Sequence, residues 1–359
     1  MNEKRRIVIK IGSNVLTRND GLLDMASLSS IVDQVATLNK SGMDILLVSS
    51  GAVASGRCEI HINEKMDQVS ARQLFSAVGQ AKLLQNYYNL FRNYGIICGQ
   101  VLTTKESLST RSHYLNQRNC LETMLENHVI PIINENDAIS VTELMFTDND
   151  ELSGLIASMM NADMLLILSN VDGIFAGNPR NGAPIIDKVC AGKGVESDFI
   201  QAGSSSFGRG GMLTKSRIAS KVAEEGCDVV IANGRTPDII TDIVLEGPEK
   251  VRCTHFIPSE KISGVKKWIA HSEDFAKGEI HIDEGTLEAL AAAKAVSLLP
   301  VGVKGIIGDF EAGDIVRIMA PDGRQIGVGK AMYGSTAARK AMGQKGQKPL
   351  IHYDYLYLD

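Results

Sequence analysis

Two lysines far apart in the chain each stand beside glycines. Lys10 lies in Arg6-Ile-Val-Ile-Lys-Ile-Gly-Ser13, and Lys215 in Gly208-Arg-Gly-Gly-Met-Leu-Thr-Lys215. Glycines at a strand or helix edge let backbone N–H groups and an ammonium approach a phosphate. Phosphoryl transfer needs positive charge on both sides of the migrating group. The pair therefore suggests a kinase. The loops are not the common nucleotide motifs. There is no Gly-x-x-x-x-Gly-Lys-Ser/Thr loop, and no Gly-x-Gly-x-x-Gly follows a strand. Alone, Lys10-Ile-Gly12 also fits a solvated lysine on an edge strand.

Other loops carry polar or small residues at strand ends. Val48-Ser-Ser-Gly-Ala-Val-Ala-Ser-Gly56 lets a ligand approach the backbone, and its free N–H groups suit a carboxylate or phosphate. The alternative is a tight packing turn. Ile133-Asn-Glu-Asn-Asp-Ala138 sets four polar groups after an apolar strand, where they can grip an ammonium. Thr147-Asp-Asn-Asp-Glu151 opens a helix. A carboxylate there could hold Mg²⁺ or hold the two lysines. For both stretches the bland reading is helix capping by Asn and Asp. Ser169-Asn-Val-Asp-Gly-Ile-Phe175 could bind a base or ribose through its main chain. Gly210-Gly-Met-Leu-Thr-Lys215 opens a helix, whose N-terminus favours phosphate. His61, His113 and His128 lack metal-ligand spacing. Trp268 beside Lys266 and Lys267 reads as an aromatic packed between domains rather than a nucleic-acid contact.

The elements that position these loops alternate strand and helix over roughly the first 245 residues. Apolar runs at Ile7–Ile11, Ile45–Ser49, Gly95–Leu102, Val129–Ile133, Met164–Leu168 and Val229–Ala232 read as strands. Helices are expected over 28–38, 70–91, 112–126, 149–160, 215–225 and 238–245. This pattern predicts a parallel sheet covered by helices on both faces, with ligands beyond the carboxyl ends of the strands. Residues 247–267 read as a linker. After them come short β segments, one helix at Glu284–Ala293, and a hairpin at Asp322-Gly323. Residues 190–211, with Gly203-Ser-Ser-Ser206, have the composition of a flap near Lys215.

The 359 residues suffice for two or three domains. A net charge of -5 argues against a whole-surface nucleic-acid binder. Six scattered cysteines with no Cys-x-x-Cys pair indicate buried free thiols in a reducing cytosol, not disulfides or zinc. No signal peptide and no membrane span is expected, so the protein is expected to be cytoplasmic.

Taken together, Val8-Ile-Lys-Ile-Gly-Ser13, Ser49-Ser-Gly-Ala-Val-Ala-Ser-Gly56, Asn134-Glu-Asn-Asp-Ala138, Asp148-Asn-Asp150 and Gly210-Gly-Met-Leu-Thr-Lys215 resemble the motifs of the glutamate 5-kinase family, within the amino-acid kinase superfamily. The resemblance covers almost the whole chain, and the tail resembles a PUA domain. It implies an α/β fold: an αβα sandwich with a mainly parallel sheet, plus a small β-rich PUA domain. The implied domains are residues 1–250 (catalytic), 251–274 (linker) and 275–355 (PUA). The implied reaction is ATP plus L-glutamate giving L-glutamyl 5-phosphate, the first step of proline synthesis, with Mg²⁺ as cofactor. Lys10 and Lys215 would contact the phosphates, and Asp150 would orient both. Ser50, Gly51, Ala52, Asp137 and Asn149 would bind glutamate. Ser169, Asn170 and the run Arg209, Gly210, Gly211, Met212, Leu213, Thr214 and Lys215 would join Lys10 at the ATP site. No protein ligand for a metal is assigned. Three positions depart from the family pattern: Ser169-Asn170 stands for Thr-Asp, Thr147 for Gly, and Arg209 for Thr.

The chemistry agrees. A carboxylate nucleophile with a pKa of about 4.3 is already ionised at neutral pH, so no general base is required. By the same resemblance, proline is expected as a competing inhibitor, and a homo-oligomer (dimer or tetramer) and coupling to glutamyl-phosphate reductase are expected. The rival readings are a sister amino-acid kinase, or RNA binding through the tail. The tail's Lys304, Arg317, Arg324 and Lys330 are interleaved with Asp309, Glu311 and Asp314, which is no basic stripe.

Overall fold

The computed structural model describes residues 4–61, 66–105, 108, 111–139, 149–190, 211–259, 269, 272–292 and 296–358. The chain divides into two compact units, Met1–Lys261 and Ile262–Asp359.

The first unit is built on eight strands: β1 (Arg6–Ile11), β2 (Asp44–Ser49), β3 (Ile97–Thr103), β4 (Val129–Glu135), β5 (Met164–Ser169), β6 (Lys188–Cys190), β7 (Asp228–Asn233) and β8 (Cys253–Ile257). Their order is β3-β4-β2-β1-β5-β7-β8-β6. Every pairing from β3 across to β7 is parallel, and β8 runs antiparallel to β7. The near-continuous apolar runs of β1, β2 and β5 are buried along almost their whole length, as strands covered on both faces require. β1 is central, not an edge strand, so Lys10 projects from the middle of the sheet. The chain builds from β1 toward β2, then returns to the other side of β1 with β5. That reversal is a topological switch point, where ligands lie beyond the strand ends.

The helices of this unit are α1 (Ser13–Leu16), α2 (Met25–Lys40), α3 (Ala52–Glu59), α4 (Gln68–Arg92), α5 (Arg111–Glu126), α6 (Asn149–Met159), α7 (Met212–Glu224) and α8 (Ile239–Thr241), which runs on into a π turn at Asp242–Glu246. In α2 the residues Leu28, Ile31, Val32, Val35 and Leu38 are buried, as their spacing predicts. The stretch after β2 is not only a turn, because α3 begins at Ala52. Gly51 starts it at φ 107, a conformation that glycine adopts without strain. α3 and α4 cross at a glycine contact, where a Cβ on Gly79 would stand 1.8 Å from Ala52 O. The expected linker over 251–274 contains β8, so the first unit extends past residue 250. Buried Thr254 on β8 braces the loop after β5, accepting from Ile174 N at 2.8 Å.

The second unit has the order β10-β9-β11-β12-β13, for β9 (Gly278–Ile282), β10 (Val303–Gly308), β11 (Ile315–Met319), β12 (Gln325–Lys330) and β13 (Leu356–Leu358). Its helices are α9 (Glu284–Ala292) and α10 (Ser335–Ala341). The hairpin between β11 and β12 turns at Asp322-Gly323, with Gly323 at φ 84 and Asp322 Oδ1 accepting from Arg324 N at 2.9 Å. Ile280, Leu298, Phe310, Val316 and Ile318 fill a core separate from that of the first unit.

Cys98, Cys227 and Cys253 are buried free thiols, but Cys58, Cys120 and Cys190 are exposed. Burial pushes the Cys98 and Cys253 thiols up to about 11. Among the described residues no helix is long and apolar enough to cross a membrane.

Candidate active site

The carboxyl ends of β1, β2, β4, β5 and β7 converge on one rim. Gly12 follows β1 and donates its N–H to Leu168 O at 3.1 Å; Ser50 follows β2 and donates to Ile11 O at 3.1 Å. A Cβ on Gly12 would meet Leu168 O at 2.9 Å and stand 3.8 Å from Lys10 Nζ. Glycine thus leaves open space beside the ammonium.

Asp150, in the first turn of α6, is the hub. It is fully buried, and Lys10 and Lys215 are 4% and 9% exposed. Lys10 Nζ contacts Asp150 Oδ1, while Lys215 Nζ lies 2.8 Å from Oδ2. One carboxylate therefore binds two ammoniums, leaving a net positive charge at the rim. Taking three charges out of water is costly unless the geometry repays it. The cluster is placed by close packing of α6 on α7. A Cβ on Gly154, one turn below Asp150, would meet Ile218 at 2.8 Å and Val222 at 3.2 Å. Ile218 lies one turn beyond Lys215 on α7.

A second cluster lies between β2, β4 and α6. Asn149 Nδ2 donates to Ser50 Oγ at 2.9 Å and to Asn134 Oδ1 at 2.9 Å, and Asn134 Nδ2 donates to Gln80 Oε1 at 2.9 Å. Asp137 is bound by Arg72 from α4. Gln73 of the same helix donates to Ala138 O at 3.1 Å. Below Ser50, Ser49 Oγ and Tyr87 OH are 2.7 Å apart. Burial raises the Tyr87 phenol well above its ordinary value.

A third region surrounds the loop after β5. Ser169 is buried at the strand end and Asn170 is exposed. Asn233 donates to Asp172 Oδ1 at 2.9 Å, and Arg235 donates to Asn14 O at 2.8 Å and Thr17 O at 2.7 Å. Gly211 caps α7 with extended backbone. Met212 and Thr214 are half-buried and Leu213 is exposed. Arg209 and Gly210, with Thr147, Asp148, Trp268 and the flap stretch 191–210, lie outside the described residues.

The amino acid kinase family model matches residues 5–233, and the PUA domain model matches residues 278–353. The chain is 62% identical over 359 residues to the glutamate 5-kinase of Bacteroides thetaiotaomicron, covering 99% of each. It is 47% identical to that of Chlorobaculum tepidum, covering 99% of this chain and 97% of the relative. The chain belongs to the glutamate 5-kinase family of amino acid kinases. Among solved structures, the carbamate kinase from Giardia lamblia bound to AMP-PNP shares the fold. It has TM-score 0.53 and 16% identity, over 72% of this chain and 100% of that one. An isopentenyl phosphate kinase aligns with TM-score 0.50 and 20% identity, over 70% and 100%.

In this member of the family, four site neighbours escape sequence reasoning: Arg72, Gln80, Thr254 and Arg235. Arg72 and Gln80 sit on a long helix, where polar residues default to solvent. Thr254 lies on a strand hidden in an apparent linker. The one signal for Arg72 and Gln80 is spacing: with Ser76 they fall at i, i+4 and i+8, a polar stripe on one helix face.

Proposed function

We propose that this chain phosphorylates the side-chain carboxylate of L-glutamate with ATP, giving L-glutamyl 5-phosphate and ADP, the first step of proline formation. The observation that carries this reading is Asp150 buried between Lys10 and Lys215. A carboxylate oxygen attacks the γ-phosphorus. The bond from that phosphorus to the β–γ bridging oxygen breaks, and ADP leaves with the electron pair. The difficulty is bringing an anion up to a polyanion. Lys10 and Lys215 stabilise the charge that spreads over the transferred group. Asp150 keeps the two ammoniums from repelling each other apart. The nucleophile is ionised at neutral pH, so no side chain need remove a proton.

Ser50, Gly51, Ala52, Asp137 and Asn149 form the proposed glutamate pocket. Arg72 holds Asp137, which serves the substrate ammonium. Ser169, Asn170 and the start of α7 from Gly211, continuing the run from Arg209 and Gly210, form the proposed ATP side. Mg²⁺ fits here as a partner of the nucleotide phosphates. Among the described residues no cluster of three or more His, Cys, Asp or Glu could hold it, and both oxygens of Asp150 face lysines. When bound, Mg²⁺ would neutralise phosphate charge.

Proline shares the ammonium and α-carboxylate of glutamate, and is proposed to compete for that pocket as a feedback inhibitor. A dimer or tetramer is proposed; the place of β3 at the end of the sheet order, with Ile97 and Leu102 exposed, supports it. The acyl phosphate is labile, which favours coupling to glutamyl-phosphate reductase in the cytoplasm. RNA binding is less favoured. Lys304, Arg317 and Arg324 lie near Asp283, Glu279 and Asp322, and Lys330 sits 4.3 Å over the Tyr355 ring.

The test is ADP release with L-glutamate, ATP and Mg²⁺, with hydroxylamine trapping the acyl phosphate. A hydroxamate formed only with glutamate is expected. Turnover of aspartate or N-acetylglutamate instead would overturn the assignment.

A further inference from the structure

A line of side-chain amides runs beneath the proposed glutamate pocket, from Gln80 through Asn134 to Asn149 and Ser50. Gln80 stands within α4 and Asn134 near the end of β4; they are 7% and 2% exposed. Each link is 2.9 Å. The direction of the line matters more than its existence. Asn149 spends both N–H bonds of its amide inside the protein, on Ser50 and on Asn134. Its Oδ1 is then its one remaining hydrogen-bonding side-chain atom. Ser50 Oγ accepts from Asn149, which leaves its O–H proton to donate. The rim therefore carries an acceptor beside a donor. An α-amino acid carries the complement, an ammonium and a carboxylate on one carbon.

We propose that Gln80 and Asn134 are positioning residues for amino-acid recognition. Their relay fixes the polarity with which Asn149 meets the α-ammonium and Ser50 meets the α-carboxylate. This rests on reading that pocket as the L-glutamate site. The relay has two self-consistent directions. Turning over all three amides would aim the Asn149 N–H bonds at the ligand and make Ser50 donate inward. That direction repels an ammonium. In the direction present, Gln80 contributes an acceptor only; its buried Nε2 has no partner among the described residues. A carboxylate at this position can also accept, whereas leucine offers nothing. Losing the acceptor frees the relay to turn over.

The experiment compares the full-length wild type with Gln80→Leu and Gln80→Glu. It measures KM for glutamate, KM for ATP, and inhibition by glutarate, which lacks the ammonium. Gln80→Leu is expected to raise the glutamate KM about tenfold, with the ATP KM within about twofold of wild type. Glutarate inhibition should weaken less, so the preference for glutamate over glutarate narrows. Gln80→Glu should retain most of that preference. A wild-type KM and preference in Gln80→Leu would overturn the proposal. So would equal losses in glutamate and ATP KM, or Gln80→Glu behaving like Gln80→Leu. If Gln80→Leu fails to fold by circular dichroism, Asn134→Ala breaks the same line and must show the same narrowing. A wild type without glutamate-dependent ADP release would sink the substrate reading. An active wild type indifferent at Gln80 would sink only the relay.

Discussion

Asp150 decides what Lys10 and Lys215 can do. Without it, two buried ammoniums would repel each other and splay away from any bound phosphate. Lys10→Ala and Lys215→Ala should each lower kcat by about two to three orders of magnitude, the scale of losing one charged transition-state contact. Steady-state kinetics beside a thermal melt would check this; near-normal turnover in a folded variant removes that lysine from the mechanism. The two lysines were legible in the sequence because each stands beside glycines at an element edge. Ser50 stood out for a similar reason, as a polar residue at a strand end, whereas Asn149 entered only through the motif resemblance. Arg72, which binds Asp137, was not legible. It lies 65 positions upstream of Asp137, and the polar stripe it shares with Ser76 and Gln80 marks a helix face without naming a partner in the loop after β4.

At the scale of elements, periodicity placed most strands and helices of the first unit, but it could not give their neighbours. β1 pairs with β5 across more than half of the first unit, and β8 enters the sheet in reverse. Such pairings follow from packing, and no short window records them. The crossing of α3 and α4 was equally hidden, and it depends on Gly79. A Cβ there would stand 1.8 Å from Ala52 O and 2.3 Å from Gly56 N, so the helices must part. Gly79→Ala should cost about 1–3 kcal/mol. It should also raise the glutamate KM, because Ala52 directly follows the Ser50-Gly51 turn. Chemical denaturation and kinetics test both, and an unchanged midpoint would show that the contact yields without strain. In the second unit, Asp283 caps α9. Hydrogen bonds from the Thr286 hydroxyl and N–H, the latter at 2.9 Å, hold its carboxyl below the ordinary value, with Lys304 assisting. A depressed pKa contributes stability that is full above the unfolded value and lost as pH falls through the native one. Asp283→Ala should therefore destabilise by about 1 kcal/mol at neutral pH. The gap from wild type should close on acidification, as melts across an acidic pH series would show. A gap independent of pH would mean that helix propensity, not the charged cap, sets the cost.

For the molecule as a whole, the two units have separate cores. The buried cluster of the first ends at Cys253, and that of the second begins at Ile280. This division was visible in the sequence as a change from long strand–helix units to short β segments. Its position was not, because β8 carries no periodic signal within a stretch rich in glycine, proline and charge. The consequence for function follows from where the proposed site lies. Lys10, Ser50, Asp137, Asn149, Asp150, Ser169 and Lys215 all precede residue 262, and so do their supports Arg72, Gln80 and Thr254. A chain ending after Lys261 keeps β8, and with it the brace on the loop after β5. It should fold and retain glutamate-dependent ADP release, with both KM values within about threefold of the full chain, because every residue placed in the proposed site is kept. A chain ending at residue 250 lacks β8 and Thr254. It should lose ATP affinity before glutamate affinity, since the freed loop lies on the proposed nucleotide side. Comparing the two truncations by kinetics separates the explanations. If both are inactive though folded, the second unit supplies something to catalysis. If both are equally active, the brace from Thr254 is dispensable.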